Sequence, residues 1–179
     1  MPSVQRSLTI DAPPAQVYEA FVDLSRWLEW NPHLREVRPL TEGPLAPGSR
    51  ARVALKLNPL PSVWEVTEMN PGRSFAWASS LLPGIRLVFD HVAESADGGT
   101  RATLRIDIEG PLAFLAGLAS TVYGRNLDHS LAALKGILEA EALDSSGPKP
   151  QQPPAEEPEA EAEPQPEAET EAQPEVKNE

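Results

Sequence analysis

His91 is the residue of this chain whose type and position best fit acid–base chemistry. In the run IRLVFDHV, residues 85–92, it shares strand parity with Ile85, Leu87 and Phe89, so it points to the same apolar face. A histidine in an apolar interior can donate or accept a proton near neutral pH. Such a residue is more often a hydrogen-bonded part of the core, so the catalytic and the structural interpretation both stay open.

No catalytic or metal-binding constellation accompanies this histidine. The chain has three His and no Cys, which excludes disulfides, thiolate zinc sites and a cysteine nucleophile, and we expect no metal and no cofactor. Asp90 directly precedes His91, and neighbours on a strand face opposite sides, so the two should not share a proton. Glu65 and Glu68 differ in parity, which leaves at most one of them inside as a candidate base.

Short strands position these residues. Between Leu34 and Gly110 apolar residues recur with a period of two, and turns rich in Pro and Gly separate about six runs. Connections this short allow only antiparallel hairpins, because parallel crossovers need a dozen or more residues. In RARVALKL the predicted buried face consists of Ala51, Val53, Leu55 and Leu57. Charged residues occupy most of the opposite face, so the sheet should have one apolar and one wet side.

Helices flank this meander. SVQRSLTI, residues 3–10, predicts a first strand, and residues 11–24 predict a helix whose first turn tolerates Pro14. A short second helix should end before Pro32. Residues 111–142 predict one long amphipathic helix that covers the apolar face of the sheet. The predicted order is therefore β-α-α-β6-α.

Most of the negative charge lies in the C-terminal tail. The 179 residues carry a formal charge of −12, and residues 144–179 contain ten Glu and one Asp against two Lys. This segment of Pro, Glu and Ala has almost no large apolar side chains to offset the entropy of ordering it. We expect a disordered acidic tail after a folded domain of residues 1–143. Its expected role is solubility, and docking on a basic protein partner is the alternative.

Composition also excludes several classes of partner. The folded part is slightly acidic and has no basic stripe, so we expect no nucleic-acid binding. The N-terminal residues lack the apolar run of a signal peptide, and no stretch reaches the roughly 18 apolar residues of a membrane span. A cytoplasmic protein without a membrane span is the expectation.

Four motifs in register carry a resemblance to a known superfamily. They are APPAQVYEAFVDLSRWLEWNPHL, EGPLAPGSRARV, DGGTRATL and LAALKGILEAE. Over residues 4–141 the chain resembles the START-like superfamily, also called SRPBCC or birch-pollen-allergen-like, and within it the polyketide cyclase/dehydrase-type proteins. The resemblance implies an α+β helix-grip fold, in which a curved antiparallel sheet of about seven strands wraps round the long C-terminal helix. It also implies an apolar cavity between them for lipids, polyketides or other hydrophobic molecules.

Candidate ligand contacts follow from this implied cavity. At 100° per residue the polar side chains of Tyr123, Asn126 and Ser130 fall in the apolar sector of the long helix. There they bond either a ligand or bound water, or one another and backbone groups. The predicted ligand-binding residues are Trp64, Trp77, Phe89, His91, Tyr123, Asn126 and Ser130. In WLEWNPHL, the resemblance implies that Trp27, Trp30, Asn31 and Pro32 close the fold as a structural corner. Trp30 and His33 are also predicted at the cavity mouth.

These observations favour a protein that binds a hydrophobic small molecule, lipid or polyketide-like, in an internal cavity. One alternative is a cyclase or dehydratase in which His91 or a buried glutamate moves a proton. The sequence has no arginine placed clearly inside and no Ser/His/Asp set, which disfavours an enzyme. A second alternative is an adaptor that acts through its acidic tail. The residues specify neither the identity of the ligand nor the oligomeric state.

Overall fold

A computed structural model of the chain describes residues 2–57, 60–116 and 120–145. Within these ranges the strands are β1 (Ser3–Ile10), β2 (Leu34–Pro39), β3 (Arg50–Leu55), β4 (Ser62–Asn70), β5 (Ser74–Leu82), β6 (Ile85–Ala96) and β7 (Gly99–Glu109). The helices are α1 (Pro14–Val22), α2 (Trp27–Trp30), α3 (Ala113–Ala116) and α4 (Ser120–Ser145), and a 3-10 turn spans Leu24–Arg26. The order of strands and main helices is the predicted one.

The strands form one antiparallel sheet in the order β1-β7-β6-β5-β4-β3-β2. From β2 to β7 each strand pairs with the next one along the chain, whereas β1 pairs with β7. The N-terminal strand therefore closes the edge that the last strand would otherwise expose. The sheet is curled into a half-barrel with α4 against it, which confirms the helix-grip fold.

Buried and more exposed residues alternate along β7, as the alternation of apolar and polar residues in the sequence predicts. Its buried apolar residues are Ala102, Leu104, Ile106 and Ile108. On β3 the pattern fails at the C-terminal end, where Ala54 is buried as well as Val53, the strand ends at Leu55, and Leu57 is 89% exposed. The prediction that Leu57 belongs to the buried face is wrong, since a residue beyond the strand end no longer follows its parity.

A bulge in β4 changes which carboxylates can enter the interior. The register shifts between Val66 and Glu68, so Thr67 and Glu68 are both exposed. Glu65 is exposed as well. Neither glutamate therefore supplies the candidate base expected from strand parity, because the extra residue turns Glu68 to the same outer side as Glu65.

Helix α4 supplies the other wall of the core. Leu127, Leu131, Leu134 and Leu138 are buried, at the spacing of one helical face. The helix contacts β1, β7 and α2. It continues to Ser145, two residues beyond the predicted domain end, and the rest of the predicted tail, 146–179, lies outside the described residues. In the part of the chain that the structure covers, no helix has both the length and the apolar character needed to cross a membrane.

Candidate functional site

Hydrogen bonds stabilise the corner between α1 and β2, which consists of the 3-10 turn and the segment WLEWNPHL. The Asp23 carboxylate accepts hydrogen bonds from the backbone N of Ser25 at 3.0 Å and from its Oγ at 2.6 Å, which starts the 3-10 turn. Nε1 of Trp27 donates to the carbonyl oxygen of Phe21 at 2.8 Å. This bond ties the corner to the end of α1 and satisfies the buried indole N–H.

Trp27 also occupies the centre of an aromatic cluster. Its ring centroid lies 5.6 Å from those of Trp30 and Trp77 and 5.5 Å from that of His91. Trp30 is 1% exposed and packs on Phe21 at 5.9 Å. The prediction that Trp30 lies at the cavity mouth is therefore wrong, because the single turn of α2 directs both tryptophans into the core. Trp77 belongs to the same core cluster and does not line the cavity described next.

A cavity of about 80 Å³ lies between the sheet and α4. Its apolar lining includes Trp64, Leu87, Phe89, Leu104, Ile106 and Leu127. The polar side chains in the lining come from the corner, the strands and α4. All of them are uncharged at neutral pH except Asp90 and Arg105. Concave, mainly apolar surroundings with a few polar groups are typical of small-molecule sites.

The structure brings six of the predicted site residues together at this cavity. They are His33, Trp64, Phe89, His91, Tyr123 and Asn126. Ser130 is fully buried but does not line the cavity, because its hydroxyl points to the corner instead. Sequence reasoning missed the polar residues Asn31, Ser62 and Ser79 and the aromatic residue Trp27 as lining residues. The resemblance gave the segment around Asn31 a structural role alone. The signal that could have identified Asn31 was its position directly after two buried tryptophans and before a proline.

Ser130 and Asn31 form the polar contact between α4 and the corner. The Oγ of Ser130 donates to Oδ1 of Asn31 at 2.8 Å, and both residues are buried. The Nδ2 of Asn31 has no hydrogen-bond partner among the described residues. A buried N–H without a partner is costly, so this amide offers a donor to whatever occupies the cavity.

His91 borders the cavity from β6. Its ring stacks on Phe75 with centroids 4.5 Å apart and planes 16° from parallel. Burial lowers the pKa of His91 to about 3, and an interaction with the backbone of Phe89 offsets part of this decrease. At pH 7 the ring is therefore neutral. Its Nδ1 has no hydrogen-bond partner within the described part of the chain, so no carboxylate orients it for proton transfer there.

His33 borders the cavity from the corner and is half-buried. Burial lowers the pKa of His33 to about 4, and repulsion from Lys56 and from His129 adds to the effect. Both cavity histidines are thus uncharged at neutral pH. Within the described ranges, no group of three or more His, Cys, Asp or Glu side chains could hold a metal ion.

Comparison with protein families shows to which family the chain belongs. A family model described as polyketide cyclase / dehydrase and lipid transport matches residues 1–139. The chain belongs to this family. The curled sheet with α4 against it is the helix-grip fold that the resemblance to this family implied. A search of curated proteins found no match.

Solved structures share the fold at low sequence identity. The Zhui aromatase/cyclase from Streptomyces sp. R1128 has a TM-score of 0.64 and 20% identity, over 82% of this chain and 98% of that one. A hypothetical protein from Helicobacter pylori has a TM-score of 0.65 and 13% identity, over 76% and 88% of the two chains. Ara h 8.0201 has a TM-score of 0.62 and 15% identity, over 78% and 98%.

Proposed function

We propose that this protein binds a hydrophobic small molecule, a lipid or a polyketide-like compound, in the cavity between the sheet and α4. The observation that carries the proposal is the lining, in which aromatic and aliphatic side chains surround a few uncharged polar groups. Such a lining removes apolar ligand surface from water, and the polar groups fix the orientation of the ligand. The family description, polyketide cyclase / dehydrase and lipid transport, covers the same classes of molecule.

The size of the cavity indicates that binding moves side chains. Its volume of about 80 Å³ is below the roughly 300–1,000 Å³ of pockets for drug-sized ligands. Among the lining residues, the Phe89 side chain on β6 is half-buried. Phe89 stacks on Trp64 with centroids 4.2 Å apart, so its displacement would open space beside the indole. We therefore expect rearrangement of side chains rather than of the strands.

Filling the cavity should block the ligand. Leu127 lines the cavity from α4, and Leu127→Phe adds a ring to a space of about 80 Å³. We expect saturable binding of the neutral fluorescent probe 1-aminoanthracene to the unmodified protein and at least tenfold weaker binding to the variant, because the added ring occupies the volume that the probe needs. The measurement is a fluorescence titration, with circular dichroism to verify the fold.

The matched control is Leu143→Phe, the same substitution on the same helix at an exposed position outside the cavity. It should bind the probe as the unmodified protein does. Equal affinity of the Leu127 and Leu143 variants, or no saturable binding to the unmodified protein, would contradict the proposal.

A cyclase or dehydratase activity is the second candidate, since His91 borders the cavity. The environment of the His91 ring disfavours this activity. The ring is neutral and stacks on Phe75, and its Nδ1 has no hydrogen-bonded carboxylate among the described residues. A general base needs a partner that orients it and a pKa near the working pH. Binding without chemistry therefore agrees better with the geometry. The adaptor alternative depends on the acidic tail, beyond Ser145.

A further inference from the structure

The hydrogen bond between α4 and the corner sets the direction of one amide at the cavity. Asn31 is 6% exposed and lines the cavity, and its Oδ1 accepts from Ser130 Oγ at 2.8 Å. With the oxygen engaged by Ser130, the Nδ2 of Asn31 is the end of the amide that is left for a ligand. This Nδ2 is buried and has no hydrogen-bond partner among the described residues. The cavity therefore offers a fixed, uncharged hydrogen-bond donor.

The same cavity lacks a cation that could neutralise a bound anion. Among the described lining residues the formally charged side chains are Asp90 and Arg105. Nη2 of Arg105 donates to Oδ1 of Asp107 at 2.7 Å, and the arginine side chain is 46% exposed, so its charge is paired and in water. Asp90 is itself an acid, and burial, followed by repulsion from Asp107, raises its pKa.

The two cavity histidines add no positive charge at neutral pH. Burial lowers the pKa of His33 to about 4 and that of His91 to about 3, so both rings are neutral at pH 7. A carboxylate that enters such a site loses its hydration without gaining an ion pair, which is far more costly than the transfer of a neutral carbonyl.

We propose that the ligand of this site carries an uncharged carbonyl group, whose oxygen accepts a hydrogen bond from Nδ2 of Asn31, and that the site rejects carboxylates of the same size. Ser130 acts as a positioning residue because it holds the amide in the required direction. The inference rests on the proposed function and narrows its ligand class: ketones and related neutral carbonyl compounds bind, whereas free fatty acids and other organic acids are excluded.

Three nearly isosteric probes test this specificity on the unmodified protein. They are 2-acetylnaphthalene, a ketone; 2-naphthoate, a carboxylate; and 2-isopropylnaphthalene, which has no acceptor. By isothermal titration calorimetry at pH 7 we expect the ketone to bind at least tenfold more tightly than the hydrocarbon, because only the ketone satisfies the buried donor. The carboxylate should bind at least tenfold more weakly than the ketone.

Variants at the donor assign the preference to its residue. Asn31→Leu keeps the approximate shape and removes the donor, so the preference for ketone over hydrocarbon should fall to less than threefold while hydrocarbon binding persists. Ser130→Ala should reduce the same preference, because the freed amide can turn its oxygen to the ligand. The control Asn70→Leu changes an exposed asparagine of β4 that does not line the cavity, and it should keep the full preference.

The outcomes separate this inference from the proposed function. If none of the three probes binds, the cavity is not an apolar ligand site and the proposed function itself fails. If the hydrocarbon or the carboxylate binds at least as tightly as the ketone, the apolar site stands and the carbonyl assignment is overturned. An unchanged preference in Asn31→Leu, with a native circular dichroism spectrum, would also overturn the role of Asn31.

Discussion

At the scale of single residues, the eight positions of WLEWNPHL divide between structure and the site. Trp27 is the centre of the aromatic cluster and also lines the cavity, and Trp30 is buried beside it. Asn31 and His33, from the same segment, line the cavity. The one turn of α2 buries the tryptophans at its two ends, and Asn31 and His33 follow it at the space between sheet and α4. A single corner thus both closes the fold and carries polar groups to the ligand site.

The buried histidine of this site makes stability dependent on pH. The folded pKa of His91 is about 3, below the ordinary value of about 6.5 that applies to the unfolded chain. Below pH 6.5 the unfolded state binds a proton that the native state does not, so the free energy of unfolding falls with pH until the folded pKa is reached. Between pH 7 and pH 5 the loss from His91 amounts to about 2 kcal/mol.

Urea unfolding of the His91→Phe variant at these two pH values measures this contribution. We expect the variant to lose about 2 kcal/mol less than the unmodified protein between pH 7 and pH 5, because Phe does not titrate. An identical pH dependence of the His91 variant and the unmodified protein would show that this ring titrates normally in the folded state.

At the scale of elements, the closure of the sheet depends on a glycine at the start of β7. Gly99 has φ +129, and a Cβ there would lie 2.1 Å from the carbonyl oxygen of Ile10. The neighbouring Gly98 has φ +80, and a Cβ at this position would have no atom within 4 Å. Both positions favour glycine because of their positive φ, but only Gly99 also packs against the backbone at the end of β1.

These two glycines form a matched pair for mutation. Gly98→Ala should cost about 1 kcal/mol of unfolding free energy, the ordinary strain of a positive φ. Gly99→Ala should cost at least about 2 kcal/mol more, because the backbone of β1 must move and pairing at the β1–β7 edge is lost. Thermal or urea unfolding of both variants gives the comparison. Equal costs would mean that β1 can shift without loss.

At the scale of the whole molecule, most of the negative charge comes after the last residue that the structure describes. The described domain ends with α4 at Ser145, and most of the charge of −12 belongs to the acidic residues that follow. The sequence predicts that this tail is disordered because it lacks apolar side chains. Stability and ligand binding should therefore be properties of the residues up to Ser145 alone.

Truncation after Ser145 tests this separation. We expect the shortened chain to unfold within about 2 °C of the full chain and to bind 1-aminoanthracene equally well, because the removed sequence has almost no large apolar side chains to bury. Differential scanning calorimetry and the fluorescence titration give the two values. A fall of more than about 5 °C would mean that the tail contributes to the fold, whereas loss of capture of a basic protein alone would favour the adaptor alternative.

Most of the fold could be predicted from local pattern, and the exceptions have local causes. Alternation and turn residues are properties of adjacent positions, so they located the strands and the buried face of β7. The end of β3 at Leu55 and the bulge near Thr67 were not predictable in this way, because strand pairing determines both. For the same reason the parity rule misplaced Leu57 and one of the two glutamates.

The chain's periodicity and motifs were sufficient for the order of elements, the antiparallel sheet, the family and the inward direction of His91. Tertiary packing alone decided which inward residues border the cavity. Trp77 and Phe89 share strand parity, yet Trp77 packs into the aromatic cluster and Phe89 lines the space beside Trp64. The contact between Ser130 and Asn31 joins residues far apart in sequence. Such contacts depend on how α4 packs against the corner, and the periodicity of either segment does not determine that packing.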